Sequence, residues 1–335
     1  MVVFEGREDM VLSRIIVAHN VAENVLRSMR NQAEVLVLTG DRQELLQQVG
    51  DADAIHGNGS LVIDEELLAA APRLKIVALS SVGYNNLDLE AMRRHGVVAT
   101  NVPGVLDDTL ADLTMGLLIG TARRLAESDR MMRAGIWRPG GKPIWGVEIS
   151  GKTMGIIGMG RIGQAIARRG ALGMSMPILY HNRHRNPQAE QLYGAELVPL
   201  DELMSQSDYV VIAAPLTPET RGMVGEHEIG LMKPTAVLVN IGRGPIVDEQ
   251  ALIRALQEGR IFGAGLDVFE KEPLAPDSPL LKLNNVMMVP HIGSETQEAR
   301  ERMADLAARN ILSVLRGEGP LTPVPEFRDF TERRD

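Results

Sequence analysis

The sequence contains no cysteine. That removes disulfides, thiolate catalysis and cysteine-ligated metals in one step. Aromatic residues are scarce, with five Phe, four Tyr and two Trp in 3% of the chain, so little is available to line an aromatic pocket. No apolar run reaches the roughly 18 residues that would read as a membrane span. The first ten residues include Glu5, Glu8 and Asp9 and have no apolar signal core, which makes the cytoplasm the expected compartment. Positive charge is in deficit: 35 Lys and Arg stand against 44 Asp and Glu, a formal net charge of -9. A surface that negative argues against nucleic acid and anionic membrane as partners. A small anionic substrate stays open, because a few arginines in a cleft dominate the local field.

What remains is globular in character. The 335 residues are 44% hydrophobic and 24% charged, enough for two domains of ordinary size. Short apolar runs at 15–18, 35–38, 52–55, 76–79 and 97–100 predict strands. Amphipathic stretches at 21–29, 42–49, 65–71 and 87–94 predict helices between them. Strands alternating with helices imply a parallel sheet covered on both faces. One long Ala-, Leu- and Thr-rich helix is predicted over 108–127, then an extended Gly/Pro/Trp loop over 135–146. A second alternating series follows, with strands at 154–157, 177–180, 209–213, 236–240, 263–268 and 286–289. That is enough for a complete doubly wound sheet. The chain ends in a long helix over 295–315 and a Pro-containing tail.

Gly158-Met159-Gly160-Arg161-Ile162-Gly163 spells G-x-G-x-x-G between an apolar strand and the helical stretch Gln164 to Arg169. The spacing is weak evidence alone, but the strand–turn–helix setting gives each glycine a job. One permits the tight turn, one lets backbone approach a pyrophosphate, and one brings helix close to strand. The helix start adds N–H groups and a positive dipole end. Roughly 20 residues on, an NAD-binding fold carries an acidic residue for the ribose 2′-hydroxyl. Here the chain reads His181-Asn182-Arg183-His184-Arg185. Arginines attract a 2′-phosphate where a carboxylate repels it, so the expected cofactor is NADP. His181 and His184 read as surface residues.

Three segments end strands of the second series: Asn240 to Gly244 with Arg243, Asp267 to Pro273 with Glu272, and Pro290 to Ser294 with His291. Ligands of open α/β sheets gather at the carboxyl ends of strands. A guanidinium can fork a carboxylate and polarise the adjacent carbonyl. An imidazolium can protonate the alkoxide left by hydride addition, and a carboxylate beside it favours that charged form. Any one of these residues alone is ordinary; the three together behind the dinucleotide turn read as a reductase.

These motifs, with Ser81-Val82-Gly83-Tyr84, Asn101 to Leu106 and Pro215 to Thr220, resemble the D-isomer-specific 2-hydroxyacid dehydrogenases from about Ile15 to Leu315. Met176 to Tyr180, the basic loop after it, and Lys142-Pro143-Ile144-Trp145 look most like the glyoxylate/hydroxypyruvate and 2-ketogluconate reductases. The resemblance implies an α/β fold of two doubly wound parallel-sheet domains. These would be a flavodoxin-like substrate domain, residues 1–103 with 292–335, and a Rossmann cofactor domain, residues 104–291. It implies that Arg243 binds the substrate carboxylate and carbonyl, that His291 is the acid/base, and that Glu272, rather than the nearby Glu270, is its partner. Backbone N–H groups of Val82 and Gly83 would hold the carboxylate, with Ser294 and Trp145 as further substrate contacts. Gly158, Gly160, Arg161, Ile162, Gly163, Asn182, Arg183, Arg185, Pro215, Ile241, Arg243, Asp267 and Gly293 would line the NADP site, Asp267 near the nicotinamide carboxamide. No metal is implied. The family is commonly dimeric, and the helix after Asp108 and the loop with Trp137 and Trp145 are the expected dimer elements. Where the family has Thr-Asp, this chain has Asp107-Asp108.

Two other readings stay open. A phenylpyruvate-type reductase keeps the chemistry and enlarges the pocket. A dinucleotide-sensing interaction protein keeps the scaffold and loses turnover. The formate-oxidising branch is set aside, because it carries Gln where this chain has Glu272.

Overall fold

The computed structural model describes residues 12–38, 41–141 and 143–331, so Lys142 lies outside the described residues. The chain forms two compact units, Met1–Val105 with Thr296–Asp335, and Leu106–Glu295.

The first unit opens with β1 (Arg14–Val17), α1 (Glu23–Arg30), β2 (Glu34–Val37), α2 (Arg42–Gln48), β3 (Ala54–Gly57), α3 (Glu65–Ala70), β4 (Ile76–Leu79), α4 (Leu89–Arg94) and β5 (Val98–Thr100). The strands pair in parallel in the order β2-β1-β3-β4-β5, the flavodoxin-like order. In register, Ile16 of β1 lies beside Leu36 of β2 and Ile55 of β3. β3 and β4 are buried at every position. That is why they read as unbroken apolar runs and not as alternating ones. Aspartates stop and start the chain: Asp41, Asp64 and Asp88 accept backbone N–H groups in the first turns of α2, α3 and α4, satisfying donors a helix start leaves open.

The second unit begins with α5 (Asp107–Ala122) and α6 (Leu125–Arg133). The single helix predicted over 108–127 is therefore two. Arg124 takes a left-handed backbone, φ 52, and its guanidinium pairs with Glu127 at 2.5 Å above the Phe262 ring. The apolar periodicity runs through this break and conceals it. The apolar residues of α5 are buried within this unit, against α7, β10 and β11. The predicted dimer element thus serves first as core. Exposed apolar side chains instead mark α6 and the following loop, where Trp137 is 71% and Trp145 75% exposed.

Beyond that loop come β6 (Met154–Ile157), α7 (Arg161–Arg168), β7 (Ile178–His181), α8 (Pro187–Tyr193), β8 (Glu196–Leu197), α9 (Leu200–Gln206) and β9 (Tyr209–Ile212). Then follow α10 (Glu226–Leu231), β10 (Val237–Asn240), α11 (Glu249–Gln257), β11 (Gly263–Leu266) and β12 (Val286–Met288). All pair in parallel, in the order β12-β11-β10-β9-β6-β7-β8. The strand order reverses between β6 and β9, the point where such sheets bind ligands. The two-residue β8 has no apolar pattern and escapes the sequence reading.

The chain returns to the first unit through α12 (Gln297–Leu315), capped by Thr296. Buried Asn310 fastens the tail to it. The Asn310 side chain accepts from the N–H groups of Leu321 and Thr322 and donates to Leu306 O and Thr322 Oγ1.

Candidate active site

The glycine turn follows β6 directly. Gly158 has φ +100, and a Cβ there would lie 2.6 Å from the backbone nitrogen of Ala214 in the loop after β9. A Cβ on Gly163 would lie 2.2 Å from Gly158 O. Neither contact can relax, since both partners are backbone. Gly160 is different: nothing lies within 4 Å of its would-be Cβ, and it opens α7 without a side-chain cap. The first turn, with Arg161 and Ile162, therefore presents N–H groups to open space. The Asn186 side chain donates to Met159 O and ties the turn down. This cradle fits a dinucleotide pyrophosphate.

After β7 the basic loop divides its charges. Arg185 is held by Glu190, with contacts of 3.1 and 2.5 Å, and the Tyr180 hydroxyl donates to the same carboxylate. Arg183 is exposed, and its charge is felt at Glu219 in the loop after β9. Asn182 donates to His184 O, and His181 shares a hydrogen bond with Val198 O. Pro215 and Ile241 follow β9 and β10. The Pro215 carbonyl accepts from Thr220, and the Ile241 N–H donates to Ile212 O.

Arg243, Glu272 and His291 come together through glycine and aspartate. A Cβ on Gly244 would lie 1.8 Å from Phe269 O, so only glycine lets the loop after β10 close on the loop after β11. Arg243 is largely covered and donates to Gly242 O at 2.7 Å. Burial lowers its pKa, and the charges of Glu272 and Asp267 oppose that. The guanidinium stays charged and faces both carboxylates. Glu272 accepts the Phe269 N–H on one oxygen at 3.0 Å, and on the other meets Nδ1 of His291 at 2.7 Å. A carboxylate there assigns the proton to Nδ1 and turns Nε2 outward. Glu270 takes no part in this pair; its backbone N–H goes to Glu249. His291 itself has φ 53, a left-handed conformation that a non-glycine residue holds only when its surroundings enforce it.

Asp267 supplies that enforcement. It is 1% exposed, and its two oxygens accept the N–H groups of Ile292 at 2.7 Å and Gly293 at 3.0 Å. Burial raises its pKa, while those two donors and the His291 charge pull it back. Its carboxylate thus clamps the loop that carries His291. Gly293 has no room for a side chain, since its Cβ would lie 2.2 Å from Leu110. Ser294 follows it, partly buried. Val82 and Gly83 stand on the first unit, after β4. Their carbonyls are engaged by Asn101 and Ser81 side chains, which fixes the peptide planes.

Residues 115–293 match the family described as D-isomer specific 2-hydroxyacid dehydrogenase, NAD binding domain. The chain belongs to the D-isomer-specific 2-hydroxyacid dehydrogenases. A glyoxylate reductase of Thermococcus onnurineus is 48% identical over 320 residues, covering 93% of this chain and 95% of that one. A glyoxylate/hydroxypyruvate reductase B of Yersinia pestis is 47% identical, covering 84% and 86%. Among solved structures, an NADPH-dependent glyoxylate/hydroxypyruvate reductase of Sinorhizobium meliloti, in complex with NADP and malonate, superposes with a TM-score of 0.84. It is 35% identical and covers 94% of this chain and 97% of that one.

Within this D-2-hydroxyacid dehydrogenase, the supporting residues were the harder ones to find. Nothing in the sequence distinguishes Asp267 as a clamp or Gly244 as a contact point. The aspartate ends a buried strand, and the glycine lies next to a charged residue. Both become informative only when strand ends are set side by side.

Proposed function

We propose that this enzyme reduces a small 2-keto acid, glyoxylate, hydroxypyruvate or 2-ketogluconate, to the D-2-hydroxy acid with NADPH. The observation that carries the reading is the 2.7 Å contact between His291 Nδ1 and Glu272, beside the covered guanidinium of Arg243. The names of the reductases it resembles point the same way.

Gly158, Gly160, Arg161, Ile162 and Gly163 would hold the pyrophosphate, and Arg183, with Arg185 behind it, the 2′-phosphate. When bound, the dinucleotide supplies a hydride to the carbonyl carbon. Arg243 binds the substrate carboxylate and draws electron density toward the carbonyl oxygen. The imidazolium of His291 delivers its Nε2 proton to the developing alkoxide. Glu272 stabilises the charged ring before transfer and keeps Nδ1 protonated after it.

We also propose a cytoplasmic homodimer that binds neither nucleic acid nor membrane. The exposed apolar residues Met132, Ile136, Trp137 and Trp145 offer the contact surface. No helix among the described residues is long and apolar enough to cross a membrane. The test is kcat/KM for glyoxylate, hydroxypyruvate, 2-ketogluconate, pyruvate and phenylpyruvate with NADPH and NADH. Highest values for one of the first three with NADPH support the reading. Preference for phenylpyruvate overturns the substrate class, and NADPH binding without turnover makes the chain a sensor.

A further inference from the structure

One carboxylate joins the basic loop after β7 to the helix behind it. Glu190 lies on α8, and its side chain is 20% exposed. Its Oε1 accepts from the Tyr180 hydroxyl at 2.7 Å and from Nε of Arg185 at 3.1 Å. Its Oε2 meets Nη2 of Arg185 at 2.5 Å. The guanidinium is thus held on both oxygens, the strongest pairing an arginine makes with a carboxylate. The Arg185 and then the Tyr180 contact hold the Glu190 pKa below its ordinary value, so the pair is charged on both sides at neutral pH.

The network continues into the glycine turn. The Tyr180 hydroxyl accepts from the Asn186 N–H at 2.8 Å. The Asn186 side chain accepts from the Ala189 N–H at 3.0 Å and donates to Met159 O at 2.9 Å. Glu190 therefore stands between an arginine of the basic loop and the second residue of G-x-G-x-x-G. An ion pair with a guanidinium as exposed as that of Arg185, at 72%, adds little to stability. Its consequence lies in what Arg185 would otherwise do. A released guanidinium has five donors to fork a phosphate. Held by Glu190, its Nε and one N–H of Nη2 are taken and its charge is offset.

We propose that Glu190 is a cofactor-selecting positioning residue, which competes with a 2′-phosphate for Arg185 and draws the preference back toward NADH. This requires only that the basic loop face the adenosine ribose, as proposed above, whichever cofactor the wild type favours. Removing the charge while keeping the shape should move the balance toward NADPH from wherever it starts. Glutamine does this, since its carbonyl oxygen still accepts from Tyr180. The tie through Tyr180 and Asn186 to the turn, which both dinucleotides use, then stays in place.

The test is the Kd of NADPH and of NADH, by fluorescence titration, in the full-length wild type, Glu190→Gln, Arg185→Ala and the double variant. Glu190→Gln should tighten NADPH roughly fivefold, the upper end for an ion pair at a protein surface, and leave NADH unchanged. The gain should vanish on the Arg185→Ala background, where no guanidinium is left to release. Tyr180→Phe spares the ion pair but removes the acceptor of the Asn186 N–H, and should weaken both dinucleotides alike. In the wild type the Arg185 Nε–H NMR signal should shift on adding NADP+ and stay on adding NAD+, a readout that serves even if Glu190→Gln fails to fold. An equal gain on the Arg185→Ala background would make Glu190 a general repulsive charge. A joint loss of NADPH and NADH in Glu190→Gln would make it a structural tie alone. An Arg185 signal unmoved by NADP+ would mean that the phosphate never reaches that guanidinium. Each of these three overturns the proposal. A wild type that favours NADH, with Glu190→Gln still moving toward NADPH, would overturn the NADPH preference and uphold the role of Glu190.

Discussion

Where the seven-stranded sheet reverses, between β6 and β9, the chain places glycines; where the five-stranded sheet reverses, between β1 and β3, it places imidazoles. Both sheets are parallel and both leave a crevice at their carboxyl ends. The first crevice is a backbone surface. Gly158 and Gly163 remove side chains so that strand, turn and helix can touch, and α7 offers N–H groups. The second crevice is a side-chain surface, built from His19, Ser80 and Arg300. A backbone site must be local in sequence, because consecutive residues form it. A side-chain cluster can be drawn from anywhere: His56 meets Ala304 across 248 positions. The comparison explains why one arrangement can be seen in six consecutive letters and the other has no signature at all.

The largest effects should fall on the unit with the glycine turn. His291→Ala should lower kcat by about a hundred- to ten-thousandfold, the usual cost of removing a general acid. NADPH affinity, read by fluorescence titration, should not change, because the dinucleotide turn and the imidazole occupy different strand ends. A parallel loss of affinity would show that the two are one structural element. Glu272→Gln should keep the hydrogen-bonded geometry and remove the charge. kcat should then fall by less than in His291→Ala, because the ring keeps its place and loses only the charge beside it. An unchanged kcat would separate Glu272 from the proton transfer.

The next effect sharpens the contrast between charges that are free to meet a ligand and charges already engaged. Arg183→Ala should cut the NADPH-over-NADH preference by roughly ten- to hundredfold, about 1.5–3 kcal/mol for a charged hydrogen bond. Arg185→Ala should cost less, because Glu190 already holds that guanidinium. Equal losses at both positions would mean that the Glu190 pair opens when the cofactor binds.

Smaller still is the pH response of the imidazole pair. The folded-state pKa values of His19 and His56 are both lowered, His19 to about 3 and His56 chiefly by burial. Below the ordinary histidine value of about 6.5, the unfolded chain therefore binds more protons than the folded one. The stability they contribute is complete above that pH and is lost as pH falls, for each ring by at most about 1.4 kcal/mol per pH unit. Hydrogen exchange of the β3 amides reads this locally. Their protection should fall between pH 7 and pH 5, and less steeply in His19→Gln. Equal slopes would mean that His19 is as protonatable in the fold as outside it.

How much could be read from the letters follows the same division. The strands of both sheets were predicted nearly in place, because fully buried parallel strands are continuous apolar runs. The glycine turn and the trio at strand ends were legible for the same local reason. The break at Arg124 was not, since a left-handed residue held by an ion pair to Glu127 leaves the helical periodicity intact. The place of Asp267 near the nicotinamide carboxamide comes from the resemblance alone. Its clamping partners, Ile292 and Gly293, lie on another strand end, so that task is not written locally. Arg185 was read as equal to Arg183, because Glu190 lies in the next helix and gives no sign of turning back. What the letters leave hidden is which groups are already engaged, since that depends on how side chains turn back in the fold.

The smallest expected effect concerns Trp145, where the comparison is between a fixed backbone and an uncovered side chain. The Val147 N–H donates to Ala122 O at 2.9 Å, and a Cβ on Gly146 would lie 2.5 Å from the same oxygen. The chain is thus pinned to the end of α5 immediately after Trp145. The indole itself is 75% exposed, and Trp137 and Ile136 on the same loop are exposed too. A cluster of exposed apolar residues on a held loop marks an association surface. We propose that the indole reaches the partner's active site and narrows it, a task suited to a large rigid side chain that loses little entropy. Trp145→Ala should then raise the phenylpyruvate-to-glyoxylate ratio of kcat/KM by roughly fivefold, about 1 kcal/mol, with the dimer intact by sedimentation. If the variant instead becomes monomeric and the ratio stays put, Trp145 is an interface anchor, in keeping with the enrichment of Trp at interfaces, and pocket size is set elsewhere.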